Sequence, residues 1–399
     1  MMGLDRNLWL LFALNLAVGF SNQLIGPLFP LYLESLSASE MEIGLVVSLA
    51  SVAATALMLP SGLLIDRIGK KRMLLMSVVL SAAPPAIMPS MGDWRMVTPF
   101  YMVFNVAFSF FVPARMAMIA ESATPQNRAT LFGLMNMAWP ISGIVAPTLS
   151  GYIVDSFGWG LSFYVAGGIM VVSLLPTLLL SEGESIPLEA SDKPRDSSLL
   201  GPKYLGFIVL FFVFHLAMTT GQGGVNTVLP IFLKNQMGLS TSYIGLFFTG
   251  SSVLTLVTQV PSGWLADRYG RKRMIVACVA PIPLLYAVWP LIDNWVVLLV
   301  LNSVAFGLWS MTWPATLALL SDHVPPELRG SAFGVRMTGV RLGFTVGPLI
   351  AGYLYSVKGS MAPFLVSAAS YLLGIPLALL LKEKPGEGLT ETRISRNAP

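Results

Sequence analysis

Three arginines, Arg115, Arg336 and Arg341, stand inside otherwise apolar stretches, where a charged side chain is costly and has to meet a partner or a water-filled cavity. Arg341 lies about ten residues into its stretch, roughly 15 Å deep at the rise of an α-helix, whereas Arg115 and Arg336 lie within about six residues of an end and are long enough to snorkel to an interface. His215 is deep as well, and an imidazole can change charge near neutral pH. None of the 20 Asp and Glu falls mid-stretch; the nearest, Glu34, Asp66, Glu121, Asp155, Asp267 and Asp322, sit at ends. Arginine without buried acid favours an anionic or amphiphilic binding partner over a cation. For Arg341 a second reading stays open, a structural pair with a helix carbonyl or a polar cluster. Asn15, Asn22, Gln23, Asn105, Gln222, Asn226, Asn302, Trp309 and Trp313 lie on such stretches too, as binding groups or as glue between helices.

Other chemistries find no support. A lone cysteine, Cys278, forms neither an intrachain disulfide nor a CxxC metal site, and two histidines, His215 and His323, make a poor zinc site. No nucleophile, base and orienting group occur at a common depth, and no GxxxxGK[ST] loop is present for nucleotide. No enzyme activity, cofactor or metal is therefore expected. The net charge of +4 follows from topology and does not mark a nucleic-acid surface.

The elements that must carry these residues span a membrane. The 399 residues are 55% hydrophobic and 11% charged, where a soluble chain carries roughly 25% charge. Stretches long enough for a hydrocarbon core, which takes roughly 20 helical residues, run over 8–33, 43–65, 73–91, 97–120, 131–154 and 161–180, then 204–233, 243–265, 274–292, 295–320, 331–355 and 361–380. The fold class is all-α, a twelve-helix polytopic membrane protein. The first stretch has no small-x-small cleavage site and reads as a retained helix. Eighteen of the 24 Lys and Arg fall on one side of this arrangement and only Arg95, Lys234 and Lys358 on the other, which puts both termini in the cytoplasm. The expected domains are 1–180, a cytoplasmic linker 181–203, a second bundle 204–382 and a cytoplasmic tail 383–399.

The chain repeats itself. Pro60-Ser61-Gly62-Leu63-Leu64-Ile65-Asp66-Arg67-Ile68-Gly69-Lys70-Lys71-Arg72-Met73 returns 201 positions later as Pro261-Ser262-Gly263-Trp264-Leu265-Ala266-Asp267-Arg268-Tyr269-Gly270-Arg271-Lys272-Arg273-Met274. The register holds for Gly44 and Gly245, Pro113 and Pro314, Glu121 and Asp322, Arg128 and Arg329, Pro147 and Pro348, and Gly151 and Gly352. Six spans per copy make the halves parallel repeats about an axis along the membrane normal. Gly69 and Gly270 permit a tight turn, while Gly62 and Gly263 allow a neighbouring helix close.

The doubled Gly-x-x-x-Asp-Arg-x-Gly loop resembles the signature of the major facilitator superfamily, and the resemblance spans essentially residues 5–382. It implies a secondary transporter working by alternating access. It also implies a cytoplasmic gate built on Gly62, Asp66, Arg67, Gly69, Glu121, Arg128, Gly263, Asp267, Arg268, Gly270, Asp322 and Arg329, whose charges lock the halves together when the outside is open. In that fold the first, fourth, seventh and tenth helices line a cavity and the second, fifth, eighth and eleventh join the halves. Substrate-cavity candidates are then Asn15, Asn22, Gln23, Asn105, Arg115, His215, Gln222, Asn226, Asn302, Trp309, Trp313, Arg336 and Arg341. Gly343-x-x-x-Gly347-Pro348 resembles the antiporters' Gly-x-x-x-Gly-Pro motif, while the other copy reads Ser142-x-x-x-Ala146-Pro147. The expected activity is export of a small amphiphilic or anionic solute by a monomer in the bilayer, driven by protons or by the solute's own gradient. An importer of an organic anion or sugar-like compound, and a non-transporting receptor, are the alternatives. Specificity is expected where the symmetry fails: Asn15 against His215, Met135 against Arg336, and Pro140 against Arg341.

Overall fold

The computed structural model describes residues 6–122, 128–181 and 202–382. Most of the expected linker and all of the tail beyond Lys382 lie outside the described residues, as do the side chains of Asp66 and Arg128.

The first half contains α1 (Arg6–Ile25), α2 (Phe29–Ser35), α3 (Glu40–Ile68), α4 (Lys70–Ile87), α5 (Trp94–Ser122), α6 (Arg128–Phe157), α7 (Trp159–Val172) and α8 (Leu174–Leu179). The second contains α9 (Pro202–Asn235), α10 (Thr241–Tyr269), α11 (Arg271–Val279), α12 (Ile282–Val288), α13 (Trp295–His323), α14 (Pro326–Lys358) and α15 (Ala362–Leu380). With α1 and α2, α7 and α8, and α11 and α12 each joined into one crossing, these make twelve crossings in two six-helix bundles. Eleven are continuous and apolar enough to cross a membrane among the described residues. The ninth, read from sequence as a single stretch, is broken at Ala280 and Pro281 between α11 and α12, where prolines at 281 and 283 withhold backbone donors.

Helix ends follow local chemistry. Ser39 and Glu42 form a capping box at the start of α3, satisfying backbone donors that the first turn leaves free. Asn294 caps α13 through Val296 N and Val297 N. Gly69 and Gly270 take φ of 90° and 95°, which side chains resist, and so α3 turns into α4 and α10 into α11 within one residue. Large apolar side chains such as Val172, Leu291 and Leu373 remain exposed on the outside of the bundle, as a bilayer-facing surface requires.

Between the halves, α3 packs along α14 and α6 along α10. These are the second, fifth, eighth and eleventh crossings, which the family resemblance assigns to the interface.

Candidate functional site

The seam between the halves is restricted to the end remote from the Asp-Arg-x-Gly loops. A Cβ at Gly44 would strike Pro348 and Gly352 of α14, and one at Gly245 would strike Pro147 and Thr148 of α6; Gly151 and Gly352 are equally tight against α10 and α3. Small residues allow such backbone contact. Asp155 Oδ1 accepts from Thr241 N at 3.0 Å and its Oδ2 from Ser242 N at 2.8 Å, capping α10 from the other half. At the repeat-equivalent position Ser356 Oγ accepts from Met41 N at the start of α3, at 3.1 Å. Glu34 accepts from Lys234 at 3.3 Å and Asn235 at 2.6 Å. Thr148 and Thr249 hydroxyls meet at 2.8 Å, and Ser51 meets Thr345 at 3.0 Å. Among the described residues no hydrogen bond crosses between halves on the loop side of Ser51 and Ser252.

Two arginines each join three helices within one half. Arg115 of α5 donates from Nη1 to Asn15 Oδ1 of α1 at 3.0 Å and from Nη2 to Asn136 Oδ1 of α6 at 3.3 Å. Asn15 in turn donates to the Met135 carbonyl. The Arg115 Nε is buried with no hydrogen-bond acceptor among the described residues. In the second half Arg336 of α14 donates from Nε to His215 Nε2 of α9 at 2.9 Å and from Nη2 to Thr316 Oγ1 of α13 at 3.4 Å. Its guanidinium lies 4.8 Å from the centre of the Trp313 ring, a favourable cation–π placement. Arg336 is 1% exposed, which corrects the expectation that it snorkels. α14 begins at Pro326, five residues before the apolar stretch, so Arg336 sits ten residues inside the helix, roughly 15 Å by its rise.

Arg341 is half-buried one turn nearer the loop end than Thr345, the last residue of α14 to bond across the seam. Its side chain has no hydrogen-bond or ion-pair partner among the described residues, so the structural-pair reading finds no partner here. Trp309 and Trp313 stack edge to face at 5.4 Å, and Trp309 reaches Phe344 of α14 at 6.5 Å. On the first half Phe108 and Trp139 face each other at 5.3 Å, with Trp139 39% exposed.

The other candidates divide. Asn22 and Asn105 donate back to the carbonyls of Val18 and Tyr101 on their own helices. Gln23 lies over Gly143 beside Ser252, at the seam. Gln222 is fully buried, accepting from Tyr371 at 2.6 Å and donating to Asn226 at 2.9 Å. Asn302 turns toward α10, donating to Ser251 Oγ at 2.9 Å, and acts as glue between helices. Asn136, Thr316, Phe108, Trp139 and Phe344 join these contacts without standing out in the sequence. Only the repeat offers a signal, since Thr316 stands 201 positions after Arg115 and Phe108 the same distance before Trp309.

At the loop end the charges pair within each half. Lys70 bridges to Glu121, and the repeat-equivalent Arg271 to Asp322, while Asp267 is 3.6 Å from Arg271. Arg329 caps the end of α13 through the carbonyls of Ser321 and Val324 at 3.1 and 3.4 Å. Arg67 is exposed, and Arg268 lies over Trp264. Nothing comes within 4 Å of a Cβ at Gly62 or Gly263, so neither is a close-approach point in this structure.

The sequence profile of the Major Facilitator Superfamily matches residues 11–221 and, a second time, 210–399. The chain is 25% identical over 400 residues to Multidrug resistance protein 2 of Bacillus subtilis (strain 168), covering 96% of this chain and 97% of that protein. It is 24% identical over 284 residues to the Cis,cis-muconate transport protein of Acinetobacter baylyi, 67% of each chain. A solved bacterial homolog of the human lysosomal transporter Spinster, inward-facing and unoccupied, superposes with a TM-score of 0.78 at 15% identity over 95% of this chain and 98% of that one, a likeness of fold alone. One profile matching once per half, on twelve crossings that repeat in a fixed register, makes this polytopic membrane protein a member of the Major Facilitator Superfamily.

Proposed function

We propose that this transporter exports a small amphiphilic or anionic organic solute by alternating access, with the loop end and both termini in the cytoplasm. The reading is carried by the central arginines: Arg115, Arg336 and Arg341 stand on inner helix faces, and every described Asp and Glu lies at a helix end or in a connection. A lipophilic cation would find no carboxylate there to neutralise it, while an anion would find guanidinium groups suited to carboxylate, sulfonate or phosphate. The aromatic walls, Phe108 and Trp139 on one side and Trp309, Trp313 and Phe344 on the other, suit an apolar body on the same molecule.

The excess of Lys and Arg at the loop end supports the orientation. Outward transport is supported by full-length similarity to a multidrug resistance protein. The relative named for transport of cis,cis-muconate, a dicarboxylate, supports the same substrate charge and keeps import as the second reading.

A thermal-stabilisation panel on the purified protein tests the charge preference. Amphiphilic anions such as 1-naphthalenesulfonate are expected to raise the melting temperature and tetraphenylphosphonium to leave it unchanged; the reverse order rejects the proposal.

A further inference from the structure

We propose that His215 and Arg336 form a proton-linked anion site, in which an organic anion on the Arg336 guanidinium and a proton on His215 Nε2 each favour binding of the other. The inference rests on the anionic substrate argued above and not on the direction in which it moves.

The hydrogen-bond directions carry it. A guanidinium has donors only, so His215 Nε2, 2.9 Å from Arg336 Nε, accepts through its lone pair. The ring proton is therefore on Nδ1, which donates to the Phe211 carbonyl at 2.8 Å. His215 is held neutral in this arrangement. A proton arriving from cavity water at Nε2 turns the acceptor into a donor and makes the ring a cation, while Nδ1–H keeps its bond to Phe211. Two N–H donors and two like charges then face each other, and Arg336 has to leave.

An anion supplies the partner that Arg336 leaves for. Apart from His215, its guanidinium has the Trp313 ring at 4.8 Å and two weak hydrogen bonds, to the Thr316 hydroxyl at 3.4 Å and the Met337 sulfur at 3.6 Å, and its charge meets no carboxylate among the described residues. Several titratable groups on the helices around α9 are engaged elsewhere, Arg341 and the Tyr355 hydroxyl of α14, unpartnered among the described residues, excepted. Tyr371 of α15 is bonded to Gln222, Glu34 of α2 to Lys234 and Asn235, and Glu40 of α3 to Ser356. His323 of α13 stacks on Phe207, and the Arg341 side chain of α14 stands on the face of Thr345. Anion binding at Arg336 thus frees Nε2 and adds the negative charge that stabilises an imidazolium, and by linkage the proton strengthens anion binding equally.

The other half provides the contrast. There the acceptor for Arg115 is the Asn15 amide oxygen, which does not titrate. Both junctions can attract an anion, and only that of His215 can add a proton. A monoanion would then cross as an electrically neutral pair with its proton, its flux following the sum of the solute and proton gradients.

Calorimetric titration of the full-length protein with 1-naphthalenesulfonate, whose sulfonate does not itself titrate, decides the matter. Heats in imidazole and in Tris at one pH give the protons exchanged on binding. Wild type is expected to take up as much as about one proton per anion, with Kd weakening toward about tenfold per unit rise in pH once His215 has to be protonated. His215→Asn keeps an acceptor for Arg336, as Asn15 is for Arg115, and is expected to show no uptake and a Kd that varies less than about twofold between about pH 6 and 8. Binding by wild type without proton uptake, or with release, overturns the linkage and leaves the anionic reading standing; the wild-type comparison holds even if the variant fails to fold. Absence of binding at every pH rejects the anionic reading and this inference with it.

Discussion

Arg115 and Arg336 reach equivalent three-helix junctions of their two halves from different helices. Arg115 comes from α5 to meet Asn15, and Arg336 comes from α14 to meet His215, the counterpart of Asn15. The repeat partner of Arg115 is Thr316, which Arg336 contacts; the repeat partner of Arg336 is Met135, whose carbonyl accepts from Asn15. The charge has kept its place while the helix that supplies it has changed.

Relocating the charge is therefore expected to be tolerated. Arg115→Thr should lower transport of an anionic solute at least about tenfold, the loss of roughly one charge-assisted hydrogen bond. Adding Met135→Arg, which copies the arrangement of the second half, should recover most of it in the same proteoliposome assay. A double variant no better than the single would show that the junctions are not equivalent.

Arg336 and Arg341 should separate stability from transport. Arg336→Ala leaves His215 Nε2 buried without its donor and should destabilise the protein by about 1–3 kcal/mol, as unsatisfied buried groups do. Arg341→Ala removes a half-buried side chain without a partner and should stay within about 0.5 kcal/mol of wild type, yet lose transport. Thermal melts and flux measured on the same preparations check both; unchanged flux in Arg341→Ala would remove that residue from the substrate path.

Closure of the seam depends on Asp155 and on the four interface glycines. Asp155→Ala removes caps from Thr241 and Ser242, worth about 1 kcal/mol, and should shift the balance toward the opposite conformation roughly fivefold. Gly352→Val, which places a side chain against the Glu40 carbonyl, should shift it further. Maleimide labelling of a cysteine introduced at Thr249, now packed against Thr148, should speed up in both variants. An unchanged rate would mean that the seam is held elsewhere.

The repeat made the frame legible. Gly44, Gly151, Gly245 and Gly352 were visible as matched pairs, and the structure places all four at the seam. Gly69 and Gly270 make the turns that their spacing implied. What the sequence hid depends on where a helix begins or which way its face turns. Arg336 looked shallow because a polar first turn of α14 precedes the apolar run. Asn302 looked central, but its face of α13 meets α10. Glu121 and Asp322 pair with Lys70 and Arg271, the first residues of α4 and α11, a choice set by how the helix ends converge. Trp139 read as one more apolar residue in a membrane span.

Selection of an anion by the inner arginines is read out by uptake into proteoliposomes. Labelled 1-naphthalenesulfonate should exchange across wild-type vesicles, fail to do so with Arg341→Ala, and be undisturbed by excess tetraphenylphosphonium. Exchange of tetraphenylphosphonium that survives the arginine substitution, with none of the sulfonate, would mean that the arginines do not select the substrate.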